Sequence, residues 1–202
     1  ILIVPATVGL FVLARPIVTL LYEGQKFTSA DARQTALVLQ LFLLGLSFAA
    51  VDQMLIFAFY ARKDTFTPSM IGVISVVVYL ITALILNKPL GLYSLMIADS
   101  LKQVTHALVT GLLLSRRIGG LGRTTLGPTL LKCALASALT GGMAALALSL
   151  LSRLPLAPNL LTRAAEVAIP SALAFVVYAL LLARLRVPEF QLLLASIANR
   201  LK

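Results

Sequence analysis

Phe59-Tyr60-Ala61-Arg62-Lys63-Asp64-Thr65-Phe66-Thr67-Pro68 is a short charged break between two long apolar segments. No charged residue occurs from Gln53 to Ala61 before it, or from Thr65 to Asn87 after it. Thr67 is placed to cap the backbone donors of the next helix. Pro68 suits the first helical turn, where a missing N–H leaves nothing unpaired. The chain thus leaves one apolar helix, shows two cations and an acid to water, and enters another. In a bilayer that is a tight hairpin turn at the membrane surface. The fold class that follows is all-α: a polytopic membrane protein with six transmembrane helices and a short C-terminal amphipathic helix.

Composition supports this. Of 202 residues, 60% are hydrophobic and only 12% charged, and the mean hydropathy is +1.01. A soluble domain of this size needs more polar surface than these residues supply. The net charge is +10. The cations sit in short clusters between apolar segments and form no groove-sized basic face with interleaved aromatics, so nucleic acid is not the expected partner. The single cysteine, Cys133, lies in an apolar run and reads as a small core residue. Ile1 opens inside an apolar run without a signal-peptide pattern, so the expectation is a fragment whose N-terminal part lies upstream.

Outward from the break, the segments fall in order. Ile1 to Tyr22 is long enough to span about 30 Å of hydrocarbon, with a kink expected at Arg15-Pro16. Thr28 and Asp31 resemble a capping box that opens a helix from about Asp31 to Tyr60. The third helix covers Pro68 to Leu86; its Val and Ile suggest strand, but a lone strand in lipid leaves its backbone unpaired. A turn at Asn87-Lys88-Pro89 leads to the fourth, Leu90 to Ser115. The fifth, Pro128 to Leu151, carries small residues in two rows, Ala134-Ala138-Gly142 and Ser137-Gly141-Ala145-Ser149, which favour close helix contact. The sixth covers Arg163 to Ala183, with a kink expected at Pro170. Phe190, Leu193, Leu194, Ile197 and Leu201 then share one face of a short surface helix.

Loop cations orient this hairpin series. Arg62, Lys63, Arg116, Arg117, Arg123, Arg184, Arg186, Arg200 and Lys202 fall on one side, and Lys26, Arg33, Lys88, Arg153 and Arg163 on the other. The richer side, including the Arg62 loop and the C-terminus, is expected in the cytoplasm.

Ionisable groups at membrane depth are costly and mark candidate sites. Asp52 with Gln53 is one; either a helix–helix hydrogen bond or an ion pathway accounts for it. Asp99, Lys102 and His106 share a face of the fourth helix. They suit proton or cation coupling, or else an Asp99–Lys102 structural pair with His106 near the interface. Arg15 beside Pro16 either faces a cavity that receives phosphates or snorkels to the interface. Arg62, Lys63 and Asp64 set orientation and cap helix ends, with a role in gating as the alternative. Gly119-Gly120 and Gly122 lack the ending of a phosphate loop. With one His and one Cys far apart, and no nucleophile-elbow serine, neither a metal site nor an enzyme is expected.

The Tyr60-Ala61-Arg62-Lys63-Asp64-Thr65-Phe66-Thr67-Pro68 run resembles the MurJ/MviN lipid II flippases of the MOP exporter superfamily. Pro5-Ala6-Thr7-Val8-Gly9-Leu10, Arg15-Pro16-Ile17-Val18, Gly24-Gln25-Lys26-Phe27-Thr28 and Pro89-Leu90-Gly91-Leu92 resemble that family in the same order. The resemblance implies a part of a fourteen-helix flippase of the bacterial cytoplasmic membrane. Residues 1–117 would be four helices of the second transporter lobe, and residues 118–202 an added pair that forms a lipid groove, with the amphipathic tail. It implies alternating access, an undecaprenyl-linked lipid substrate, contact with membrane lipids, and missing N-terminal helices that carry most of the pyrophosphate-binding cations. No cofactor is implied; the energy source would be a coupling cation or the membrane potential. Of the family's coupling groups the third helix offers only Thr82. A related exporter of oligosaccharide-lipids or drugs, and a non-transporting scaffold of cell-wall synthesis, are the alternatives.

Overall fold

The computed structural model describes residues 2–24, 27–118, 126–155 and 159–184, the side chains of 126–130 excepted. The expected tail helix (187–202) and the glycine-bearing loop at 119–123 lie outside them. Among the described residues every regular element is helix: α1 (Ile3–Tyr22), α2 (Ser29–Ala61), α3 (Phe66–Leu90), α4 (Leu92–Arg117), α5 (Leu126–Leu151) and α6 (Leu160–Arg184).

Five are long and apolar enough to cross a membrane: α1, α2, α3, Leu131–Leu151 of α5, and α6. The sixth, α4, has the length, since 26 residues rise roughly 39 Å, but is more polar. Its small hydroxyl residues are inside. Ser94, Ser100 and Thr110 are buried while Leu101, Leu108 and Leu112 are exposed. That inversion of the soluble pattern suits a helix whose outer face meets lipid.

Two helix entries show why the chain turns where it does. At α2 the Thr28 hydroxyl accepts from the Asp31 N–H (3.3 Å), and Asp31 accepts from the Thr28 N–H (2.9 Å), the reciprocal box expected there. At α3 the expected donor and acceptor are exchanged. Asp64, not Thr67, is the capping side chain: it accepts from the Thr67 N–H (2.9 Å) and the Thr67 hydroxyl (2.7 Å). A carboxylate can only accept, so it takes the orphan donors of the first turn. Pro68 is buried in that turn.

The end of α2 closes by a Schellman motif. The Asp64 N–H reaches the Phe59 carbonyl (3.1 Å) and the Lys63 N–H the Tyr60 carbonyl (2.9 Å). Lys63 takes the left-handed conformation (φ +59°) that glycine usually supplies.

The turn expected at Asn87-Lys88-Pro89 is helical instead. α3 continues to Leu90, and the corner is Gly91 (φ +52°), whose N–H reaches the Asn87 carbonyl at 2.8 Å. Proline lacks only one donor near a helix end, whereas a positive φ is tolerated by glycine. α1 likewise runs through Pro16 and α6 through Pro170.

The chain divides into two compact units, residues 1–36 with 125–202, and residues 37–124. In the first, α1 packs on α5 and α6, and α5 packs on α6. Cys133, Ala136, Tyr178 and Leu182 form its core. The two small-residue rows of α5 part company. Ser137 and Gly141 are buried, Gly141 so close to α1 that a Cβ there would meet Val8 at 2.4 Å. Ala145 and Ser149 of the same row are exposed, as are Ala134, Ala138 and Gly142 of the other. Alanine is common on both faces of α5, but only one face meets α1. In the second unit α3 packs along α4.

Candidate functional site

Within residues 37–124, α2 and α4 run side by side at backbone distance. A Cβ on Gly45 would lie 2.7 Å from the Ser100 Cα, and the Ser100 hydroxyl donates to the Leu41 carbonyl (2.7 Å). Farther along, Gly111 faces Leu55. The contacts ascend together, so the helices are parallel, and they bring Asp52 opposite His106.

His106 Nδ1 stands 2.7 Å from Asp52 Oδ1, with the Thr110 hydroxyl 3.2 Å from the same nitrogen. Both side chains are withdrawn from the surface, 13% and 8% exposed. A carboxylate oxygen accepts, so in this contact the imidazole donates through Nδ1. Nε2 looks toward Gly72 of α3, where a Cβ would sit 3.8 Å away. The contact ties α2 to α4 through two withdrawn polar side chains.

Asp99 and Lys102 pair with each other one turn away, and the Lys102 ammonium lies 5.8 Å from the Tyr79 ring centroid. His106 therefore leaves the expected trio: it belongs with Asp52, on another helix. Gln53 is exposed, away from Asp52. Ser75, buried on α3, is a hydroxyl with no hydrogen-bond partner among the described residues.

At the α2–α3 break Arg62 and Lys63 are exposed, and Asp64 gathers a network. Arg117 from the end of α4 pairs with Asp64, donates to the Thr67 hydroxyl (3.1 Å) and stacks 5.4 Å from the Phe59 ring centroid. The hydrogen bonds from Thr67, with Arg117 beside them, lower the Asp64 carboxyl from 3.8 to about 2. Arg117 counted only as a loop cation in the sequence. Its partner lies 53 residues away, and no local pattern announces the contact.

In the other unit Arg15 is exposed into a cavity of about 640 Å³, together with Thr19, Glu23, Ser149, Ser152 and Glu166. A second, apolar cavity of about 520 Å³ lies between α1, α5 and α6, lined by Leu10, Leu13, Phe175 and Tyr178 among others. Thr82 is half-buried on α3. Among the described residues no cluster of His, Cys, Asp and Glu could hold a metal ion.

Residues 1–163 match the family model described as "Lipid II flippase MurJ". A probable lipid II flippase MurJ of Bdellovibrio bacteriovorus is 31% identical over 134 residues, 66% of this chain and 26% of that protein. One of Treponema pallidum is 35% identical over 88 residues, 44% of this chain and 17% of that protein. The lipid II flippase MurJ of Thermosipho africanus is 30% identical over 105 residues, 52% of this chain and 22% of that protein. The chain thus matches about a quarter or less of the length of these relatives.

Proposed function

Because this chain belongs to the lipid II flippase MurJ family, we propose that it forms part of a flippase moving a lipid-linked peptidoglycan precursor across the cytoplasmic membrane by alternating access. The family match across residues 1–163 carries the reading. The helices supply what such a protein needs: apolar outer faces for lipid, and an ionisable pair withdrawn between α2 and α4.

In this reading residues 1–117 belong to the second transporter lobe and residues 118–202 to the added pair. α1 packs on α5 and α6. The apolar cavity of those three helices offers a polyprenyl tail a place beside the pair. Asp52 with His106 is the ion-coupling position, and Asp99 with Lys102 lies next to it. The Asp64–Arg117 latch ties the cytoplasmic ends of α2, α3 and α4, where Arg62 and Lys63 meet water. The partners are the undecaprenyl-linked substrate, the surrounding lipids and the protein's remaining helices. The C-terminus is cytoplasmic.

The test is genetic. A bacterium depleted of its own lipid II flippase should regain growth when given the full-length gene, and should not when that gene carries Asp52→Ala. Absence of rescue by a well-expressed, membrane-inserted wild-type protein would move the assignment to an exporter of another amphiphile.

A further inference from the structure

The cavity at Arg15 has a charge pattern that the transport reading does not use. Arg15 lies seven residues before the end of α1, and Glu166 six residues after the start of α6, so each stands roughly 10 Å along its helix from that end. Both line the same cavity of about 640 Å³. Glu23, at its rim, is already held: Arg163 donates to its carbonyl (3.1 Å) and faces its carboxylate (3.4 Å). Arg15 and Glu166 have no hydrogen-bond or ion-pair partner among the described residues, each other included.

Two opposite charges left unpaired on membrane helices are costly unless something in the cavity answers both. Water answers each charge separately and links neither to the other. A phosphate fits the fork of a guanidinium, and Thr19 lines the same cavity, where the Ser149 and Ser152 hydroxyls already donate to the Leu146 and Ser149 carbonyls (2.8 and 2.9 Å). A primary ammonium fits the carboxylate. A purely anionic head group leaves Glu166 facing like charge; a simple cation leaves Arg15 in that position. A single ligand carrying both charges meets both residues at once. The same three helices supply an apolar cavity nearer the start of α1, and exposed Leu21 and Leu150 flank the region.

We propose that this cavity binds the head group of a zwitterionic phospholipid, with Arg15 on its phosphate and Glu166 on its primary ammonium. The bound lipid is a resident that seals α1 against α5 and α6, distinct from any transported substrate.

Native mass spectrometry of the full-length protein, titrated with phosphatidylethanolamine, phosphatidylglycerol and undecaprenyl phosphate, reads this without reference to transport. Wild-type protein should retain phosphatidylethanolamine over phosphatidylglycerol by about tenfold, the worth of one charge-assisted hydrogen bond. Glu166→Gln should bring that ratio to about one while phosphate binding persists, and Glu166→Asp should keep part of it. Arg15→Gln should weaken both phospholipids about tenfold, and Arg15→Lys less so. Should Arg15→Gln not fold, the two Glu166 variants decide. Equal retention by the wild type, a ratio unchanged in Glu166→Gln, or displacement of phosphatidylethanolamine by undecaprenyl phosphate would each overturn the proposal.

Discussion

Asp52 shows how much a single partner matters in this chain. Its carboxylate is buried against His106, and truncation leaves the imidazole with only the Thr110 hydroxyl. Asp52→Ala should lower stability by about 1–3 kcal/mol, the cost of an orphaned buried polar group. Asp52→Asn, whose amide oxygen still accepts from Nδ1, should lose less. Thermal unfolding of the two variants in one detergent checks the order; equal losses would remove the hydrogen bond from the account. Asp64 works differently, because it lies in the water-facing break. Its carboxyl is lowered from 3.8 to about 2 by the Thr67 hydrogen bonds and by Arg117. A depressed acid stabilises the fold above its unfolded value and ceases to do so as pH falls through the folded one. The stability gap between wild type and Asp64→Asn should thus be constant above pH 4 and close between pH 3.8 and about 2. A gap that persisted at pH 2 would mean that the carboxylate's charge is not what caps α3.

At the scale of helices, close approach decides where α2 and α1 pack. Gly45 meets the Ser100 backbone, and Gly141 meets the tip of the Val8 side chain. A backbone atom cannot move without its helix, whereas a valine methyl can give way by a change of χ1, though a helix restricts that angle. Gly45→Ala should therefore destabilise by about 1–3 kcal/mol, the range for overpacking, and Gly141→Ala by less. Melting temperatures of the two variants test this; the reverse order would mean that α2 and α4 can spread at little cost. The same scale shows what α4 gives up. Keeping Asp99, Lys102 and His106 lowers its apolarity below that of the other five helices, and the chain compensates by turning those groups toward partners.

For the molecule as a whole, the cation bias predicts an orientation that chemistry can read. In a Cys133→Ser background, Arg62→Cys should react with a membrane-impermeant thiol reagent only from the cytoplasmic side, and Lys88→Cys only from the opposite side. Both positions are exposed beyond or at helix ends. Labelling of both from one side would remove the hairpin that α3 makes between them.

The sequence by itself determined the helices, because hydrocarbon admits a lone segment only if its backbone bonds are made within it, and apolar length is local information. It also determined the break at Arg62-Lys63-Asp64, the Thr28–Asp31 box and the family, all of which rest on contiguous residues. Tertiary structure alone decided the partners. Asp52 joins His106 across 54 positions, Arg117 joins Asp64 across 53, and Arg15 shares a cavity with Glu166 from the far end of the chain. Spacing of three or four on one helix pointed instead to Asp99, Lys102 and His106 as a trio, and to two small-residue rows in α5. A helix presents every face to the sequence alike; only packing against a neighbour selects which face is inside.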